Sequence, residues 1–420
     1  MKDKNPTICV HGLGYIGLPT AAVLANAGYK VYGFDVDVQL RDQLQSGEIS
    51  LDEADLERFV KRSLDDGFTV VGEIQPAEFH LICVPTPYNE DLDKTDLSYL
   101  RSAVEGITPV LREGDTVIVE STVPPGTTEE YVRARIEKDG YAVPEEIGLG
   151  YSPETVLPGN TLTELRENDR LIGTVPGCSP APVVALYDSF TSGEIRTTDA
   201  TTAEFVKLIQ NAYRDVNIAF ANEVAKLARE FTLDSREAIG MANNHPRVDI
   251  LRPGPGVGGH CLPIDPLFLG EGNDIPMLIE TARAVNDGMV EYVGQLLDAA
   301  LGGLEDKRVT LLGAAYKGGV ADTRESPSLA LLDYFRGKNV GSVRVTDPYV
   351  DAADVDLTIL DLAESLAGAD AAVLVTDHPE YGALSPGQFA EQMTGDVVID
   401  TRAMLDPDRW NNAGFDLYRV

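Results

Sequence analysis

At 420 residues, 43% of them hydrophobic, the chain is too long for one ordinary core and predicts two or three domains. Its 68 acidic side chains against 34 Lys and Arg leave a formal net charge of −34, which would repel nucleic acid and excludes it as a partner. Four cysteines at wide spacing (Cys9, Cys83, Cys178 and Cys261) point to neither a disulfide framework nor a zinc cluster.

The acidic residues are dispersed along the chain, so no disordered acidic tail is expected. Such self-repulsion suits a protein adapted to concentrated salt, which screens charges over a few Å. Met1 to Pro6 runs directly into a strand pattern without the look of a signal peptide. No apolar run reaches the length of a membrane span. A cytoplasmic, reducing setting is the expectation.

Thr7-Ile8-Cys9-Val10 is a short apolar run that ends in Gly12-Leu13-Gly14-Tyr15-Ile16-Gly17. An Ala-rich helix pattern follows to Gly28, then a second strand pattern, Lys30 to Phe34, ending at Asp35. Strand, GxGxxG, helix, strand and acid together form the dinucleotide-binding context. Gly12, Gly14 and Gly17 shape the turn, Tyr15 and Ile16 complete it, and the pyrophosphate is expected at the helix N-terminus. Asp35 is placed to accept hydrogen bonds from the ribose hydroxyls, which favours NAD over NADP. Leu81 to Val84 leads into Pro85-Thr86-Pro87, and Thr116 to Glu120 into Ser121-Thr122-Val123-Pro124-Pro125-Gly126. Both loops follow strands, where parallel sheets bind their ligands. Cys83 is expected in the core.

From Ala203 to Glu230 the apolar residues keep a 3.6 period, with Phe205, Leu208, Ile209 and Ala212 on one side. Lys207 and Asn211 are i and i+4, hence on one face. Next comes Gly254-Pro255-Gly256-Val257-Gly258-Gly259-His260-Cys261-Leu262-Pro263-Ile264-Asp265. A thiol on so bare a backbone is placed to attack a small electrophile, with Asp265 able to move protons or hold water. The strand–helix alternation restarts at Arg308 and repeats at Ser342, Ala371 and Val397. Its loops carry Lys317, Arg324 and Arg402, three cations suited to a diphosphate. The fold class is α/β, two doubly wound Rossmann-like domains joined by a helical middle domain. Expected boundaries are 1–198 for NAD, 199–303 for the helical and dimerising part, and 304–420 for the substrate nucleotide.

Assembled in this order, the motifs resemble the UDP-glucose/GDP-mannose dehydrogenase family over almost the whole chain. The likeness also rests on Ser152-Pro153-Glu154, Asp322-Thr323-Arg324-Glu325-Ser326 and Asp400-Thr401-Arg402. It implies NAD-dependent, four-electron oxidation of a UDP-sugar 6-hydroxyl to a carboxylate through a thiohemiacetal and a thioester on Cys261. Lys207 and Asn211 would stabilise negative oxygen, Thr122 would assist with its hydroxyl, and either Asp265 or Glu154 would be the main base. Substrate would also meet Gly258, Arg247, Lys317, Arg324 and Arg402. Where the glucose branch has Ser and Lys, this chain has His260 and Ile264. With the stretch from His245 to Leu251 and with Ala284-Val285-Asn286-Asp287, that favours the acetamido branch and UDP-N-acetyl-D-mannosamine. UDP-N-acetylglucosamine and UDP-glucose stand behind it, and a two-electron hydroxyacid dehydrogenase or a non-catalytic sensor further off. The helical part is expected to mediate self-association, with Arg247 reaching a neighbouring site.

Thermal melting across a salt series tests the charge argument. The midpoint should rise with ionic strength, and a midpoint indifferent to salt would contradict it.

Overall fold

Strands covered on both faces must be apolar throughout, and runs such as Thr7-Ile8-Cys9-Val10 meet that requirement. The computed structural model describes every residue except 1–4, 50, 52, 90, 93, 158, 272–274, 276 and 353–356. Most of the N-terminal stretch on which the signal-peptide reading rests therefore lies outside the described residues. The chain forms two compact units, residues 1–210 with 268–273, and residues 211–267 with 274–420.

The first unit holds β1 (Thr7–His11), β2 (Lys30–Phe34), β3 (Phe68–Val70) and β4 (Phe79–Ile82). A two-residue antiparallel pair follows, β5 (Tyr88–Asn89) with β6 (Lys94–Thr95). Then come β7 (Thr116–Val119), β8 (Gly148–Tyr151), β9 (Arg170–Thr174) and β10 (Ile195–Asp199). Eight of these make one sheet in the order β10-β9-β8-β7-β4-β1-β2-β3. It is parallel except where β8 meets β9. After β3 the chain returns to lay β4 on the other side of β1, so the winding reverses between β1 and β4. A ligand crevice opens at such a point, beyond the strands' carboxyl ends. Ile8, Val10 and Leu81 pack one face of the sheet against Leu18, Ala22 and Leu24 of the helix Gly17–Asn26. On the other face Ile82, Val117 and Val119 pack with Leu100 and Val104.

The second unit's sheet is parallel throughout, with β11 (Arg308–Leu312), β12 (Ser342–Thr346), β13 (Ala371–Leu374), β14 (Val397–Asp400) and β15 (Asp416–Arg419). Its order is β12-β11-β13-β14-β15, so the winding reverses between β11 and β13. Two doubly wound α/β sheets are thus present, as the alternation of patterns predicts.

The long helix spans Ala200–Glu230 and differs in one respect from its sequence reading. Leu208 and Ala212 are buried, whereas Phe205 and Ile209 are exposed, with Tyr213, Phe220 and Leu227 further along. The apolar residues occupy a covered face and an uncovered one, a division that periodicity alone does not reveal.

A buried polar network crosses the helical part of the second unit. Asn286 donates to the carbonyl and carboxylate of Asp215 at 3.0 and 2.8 Å, and Arg283 pairs with the same carboxylate. Asn222 donates to the Asn286 side-chain oxygen at 2.9 Å and accepts from the Gly254 N–H at 2.8 Å. The long helix, the helix Met277–Leu301 and the start of the glycine-rich loop are therefore tied by one set of bonds. Leaving a buried N–H unpaired costs about 1–3 kcal/mol. Asn222→Ala should lower unfolding stability by about that amount in urea titrations, and an unchanged midpoint would refute the network's role.

Candidate active site

Three glycines after β1 answer three different constraints. Gly12 has φ of +89°, and a Cβ there would lie 2.5 Å from the Cys83 carbonyl oxygen. A Cβ on Gly17 would lie 1.9 Å from the Gly12 carbonyl oxygen, so the helix starts hard against the turn. At Gly14 nothing lies within 4 Å, which leaves the backbone open to a pyrophosphate. Asp35 accepts from the Leu13 N–H at 2.7 Å and from the Asp37 N–H at 2.9 Å. Its carboxylate thus braces the turn from the end of β2, where a ribose would lie. Tyr15 bonds Thr161 Oγ1 at 2.9 Å, and Ile16 precedes the first helical residue.

The loops after β4 and β7 are joined to each other. Thr86 Oγ1 donates to the Thr122 carbonyl at 2.5 Å, and Ser121 Oγ to the Val84 carbonyl at 2.7 Å. From the long helix, buried Glu204 accepts from the N–H groups of Gly126 at 2.6 Å and Thr128 at 2.8 Å. Burial pushes its carboxyl up to about 7, although those bonds favour the anion.

Behind the loops lies a buried polar cluster. Glu154 accepts from the N–H groups of Thr155 and Val156 at 2.7 and 2.9 Å and faces Arg170 at 3.4 Å. The Arg170 guanidinium also stacks on Tyr187 and Phe190. Glu120 accepts from Tyr187 and, at 3.0 Å, from the Cys83 thiol. Burial first, then the charge of Glu154, raises the Glu120 carboxyl. Cys83 is only partly covered by the core, and burial raises its thiol well above the usual range.

In the second unit the glycine-rich loop lies close against the segment that follows β11. A Cβ on Gly258 would lie 2.5 Å from the Glu325 carbonyl oxygen and 2.8 Å from Tyr316 Cβ. One on Gly259, at φ +85°, would lie 2.9 Å from the Tyr316 ring. Gly254 leaves space beside Arg402, whose Nη1 would be 3.1 Å from a Cβ there. Cys261 follows this loop, and its carbonyl accepts from the N–H groups of Ile264 and Asp265 at 3.1 and 2.8 Å. One turn thus separates the thiol from Asp265, the first residue of a short helix. Asn211 Nδ2 donates to Asp265 Oδ2 at 2.6 Å, and both side chains are buried. Lys207 is buried four residues earlier in Asn211's helix.

The three predicted cations stand at the carboxyl ends of the second sheet. Arg324 forms a forked pair with Asp322, at 2.9 and 3.1 Å from Nε. Arg402 donates from Nε to the Val375 carbonyl at 2.7 Å, and Lys317 lies on the loop after β11. Arg236, which sequence reading missed, donates to the carbonyls of Pro253 and Thr401 at 3.0 and 3.2 Å. Burial brings its guanidinium down to about 10, and Arg402 and Arg252 add to that. Asp347 at the end of β12 accepts from the N–H groups of Ala314 and Ala315 at 2.7 and 3.0 Å and meets His378 at 2.9 Å. Burial opposes its charge, but these bonds prevail and hold the carboxyl at about 2. Arg247 is exposed on the turn after the helix Ser235–Ala242.

An NAD cradle in one unit and a glycine-cradled thiol in the other define an NAD-dependent oxidoreductase. Sequence profiles of the UDP-glucose/GDP-mannose dehydrogenase family match all along the chain: the NAD binding domain at residues 6–191, the central domain at 201–288 and the UDP binding domain at 310–407. UDP-N-acetyl-D-mannosamine dehydrogenase of Methanococcus maripaludis (strain C7) is 41% identical over 417 residues, 97% of this chain and 95% of that protein. The structure of the UDP-D-ManNAc dehydrogenase of Pyrococcus horikoshii superposes with a TM-score of 0.93 at 39% identity, covering 99% of both chains. The native UDP-N-acetyl-mannosamine dehydrogenase Cap5O of Staphylococcus aureus gives 0.87 at 37% identity, covering 98% of both. The chain belongs to the UDP-glucose/GDP-mannose dehydrogenase family. It is an NAD-dependent nucleotide-sugar dehydrogenase.

Glu204 supplies a prediction with a definite sign. Its carboxyl sits at about 7 in the fold against an ordinary 4.5. Its contribution to stability is therefore complete below about pH 4.5 and is lost as pH rises through about 7. Across that window the unaltered protein should lose stability relative to Glu204→Gln. A difference independent of pH would contradict the assignment.

Proposed function

We propose that the protein oxidises the C6 hydroxyl of UDP-N-acetyl-D-mannosamine to the carboxylate, consuming two NAD and one water per sugar. The carrying observation is the thiol of Cys261, set on side-chain-free backbone one turn from the buried Asp265–Asn211 pair. The relatives at 37–41% identity are UDP-N-acetyl-D-mannosamine dehydrogenases, which supports the choice of sugar.

Gly12, Gly14, Tyr15, Ile16, Gly17, Asp35, Thr86 and Thr122 hold the cofactor in this reading. When bound, NAD accepts hydride from C6 in each of two oxidations. The Cys261 thiolate adds to the C6 aldehyde, forming a C–S bond, and the carbonyl oxygen takes up a proton as a thiohemiacetal. Retention of the aldehyde as this adduct is what the thiol contributes. Loss of a second hydride and of the hydroxyl proton leaves a thioester. Water then adds to the thioester carbon, the C–S bond breaks, and the carboxylate and the Cys261 thiolate are released. Asp265, oriented by Asn211, is assigned to hold and deprotonate that water. Lys207 and Asn211 stabilise negative oxygen in the tetrahedral states, and Thr122 assists through its hydroxyl. Glu154, held by Arg170 and by the N–H groups of Thr155 and Val156, is assigned to electrostatic support of hydrolysis.

Lys317, Arg324 and Arg402 take the diphosphate, and Gly258 gives substrate access to the loop backbone. We further assign self-association to the exposed face of the long helix, where Phe205, Ile209, Tyr213 and Phe220 stand uncovered. Arg247 serves a neighbouring copy. No described helix is long and apolar enough to cross a membrane. The charge suits a salt-rich cytoplasm, and the product would supply a transferase that builds polysaccharide.

Counting NADH per sugar tests the chemistry, and two are expected. One would indicate a simple two-electron enzyme, and none a sensor. Cys261→Ser should abolish acid formation while leaving NAD binding intact, so near-normal turnover would overturn the covalent route. A higher kcat/KM for UDP-glucose than for UDP-N-acetyl-D-mannosamine would overturn the substrate.

A further inference from the structure

Beneath the NAD loop lies a group of side chains that the dehydrogenase chemistry does not use. Cys9 and His11 are two residues apart on β1 and so project from one face of the sheet. His80 on β4 is the register partner of Cys9 and projects from the same face. All three are buried, and one donor atom from each lies within 4.8 Å of the others. On the opposite face Ile8, Val10, Phe79 and Leu81 belong to the hydrophobic core, so this trio interrupts an otherwise apolar sheet.

The hydrogen bonds of the trio do not balance. His11 Nε2 and His80 Nδ1 lie 3.1 Å apart and share one proton. Of the remaining nitrogens, His11 Nδ1 is buried without a hydrogen-bond partner, and His80 has only the Ala77 carbonyl nearby, too poorly aligned for a good bond. Two neutral imidazoles carry two N–H groups, and only one is used between them. Whichever tautomers are present, one N–H and one lone pair are left over, and the Ala77 carbonyl can take up at most the N–H. Natural cores seldom leave such groups unsatisfied, and each calls for an explanation.

We propose that Cys9, His11 and His80 form a buried three-donor site for a soft monovalent cation, Cu(I). A trigonal ion with bonds of about 2.0–2.3 Å holds its donors about 3.5–3.7 Å apart, so small side-chain rotations close the cluster. Thiolate and imidazole are donors that Cu(I) favours. Burial keeps both imidazoles neutral, His80 down at about 4, so each offers a lone pair. The same burial pushes the free Cys9 thiol up to about 11, so the ion must displace its proton. One Cu(I) replaces one proton: the S–H bond breaks, an S–Cu bond forms, the His–His hydrogen bond opens, and no electron is transferred. The thiolate's negative charge cancels that of the ion. A divalent ion would leave a net positive charge in the core, with Arg112 already disfavouring positive charge at His80. The site's place in the fold gives it a consequence. His11 directly precedes Gly12, and its carbonyl accepts from the Cys83 N–H at 2.8 Å, so the ion would clasp β1 to β4 just under the cofactor turn.

The full chain carries the test. A variant with Cys83, Cys178 and Cys261 replaced by Ser has Cys9 as its one thiol. It is equilibrated anaerobically with chelator-buffered Cu(I), and also refolded in its presence. The expected result is one tightly held equivalent whose X-ray absorption spectrum shows one sulfur and two imidazole nitrogens. Adding Cys9→Ser, or His80→Val, should abolish that equivalent, with circular dichroism checking that each variant folds. The proposal is overturned if neither route loads copper, if the bound copper lacks the sulfur or the imidazoles, or if Zn(II) fills these donors and excludes Cu(I). The coordination spectrum stands alone should the added substitutions unfold the sheet.

Discussion

A carboxylate at the end of a second strand, accepting main-chain N–H groups of the loop after the first, is the bond on which both units' binding ends depend. In the first unit Asp35 holds Leu13 in this way. In the second Asp347 holds Ala314 and Ala315. A loop that leaves a parallel strand and turns at once has N–H groups without ladder partners, and an acid on the adjacent strand end satisfies them. The units differ in what happens next. Asp35 remains partly exposed and can share its oxygens with a ribose. Asp347 is closed over by His378, which accepts from the Gly319 N–H at its other nitrogen and so carries its proton toward the acid. One device therefore leaves a partly open carboxylate in the first unit and an enclosed one in the second.

What could be read in the sequence follows from range. The strand–glycine–helix–strand–acid series spans fewer than thirty residues, and each part constrains the next, so residues 7–35 could be read directly. The glycine-rich loop could be read for a similar reason, because its glycines and Cys261 fall within the single short run 254–261. Glu204 gave no such signal. It meets Gly126 from 78 positions away, and on its own helix it looks like any surface acid. Arg170 likewise shows its importance only once folding has placed it on Glu154 and two aromatic rings. The two apolar faces of the long helix were merged for a different reason, since periodicity reports amphipathicity and not which side is covered.

A chain with so many acids must place the few it buries with care, and here they are held mostly by backbone. Glu204, Asp347, Asp400 and Glu154 each accept at least two main-chain N–H groups. Peptide dipoles carry no counter-ion and are not screened as exposed ion pairs are. An anion held in this way keeps its orientation in dilute and concentrated salt alike. Lys and Arg together are half as many as the acids, and the fork of an arginine spans two acceptors at Asp215 with Asp287 and at the two oxygens of Asp322.

The close approach of Gly258 and Gly259 to Tyr316 and Glu325 also bears on how this enzyme could change its taste. Those positions are closed to any side chain, so the loop cannot be redrawn there. Variation is confined to the places where the loop already carries side chains on partly open ground, Val257, His260, Leu262 and Ile264. A lineage drifting toward another sugar, or a laboratory doing so on purpose, has those four letters to write with.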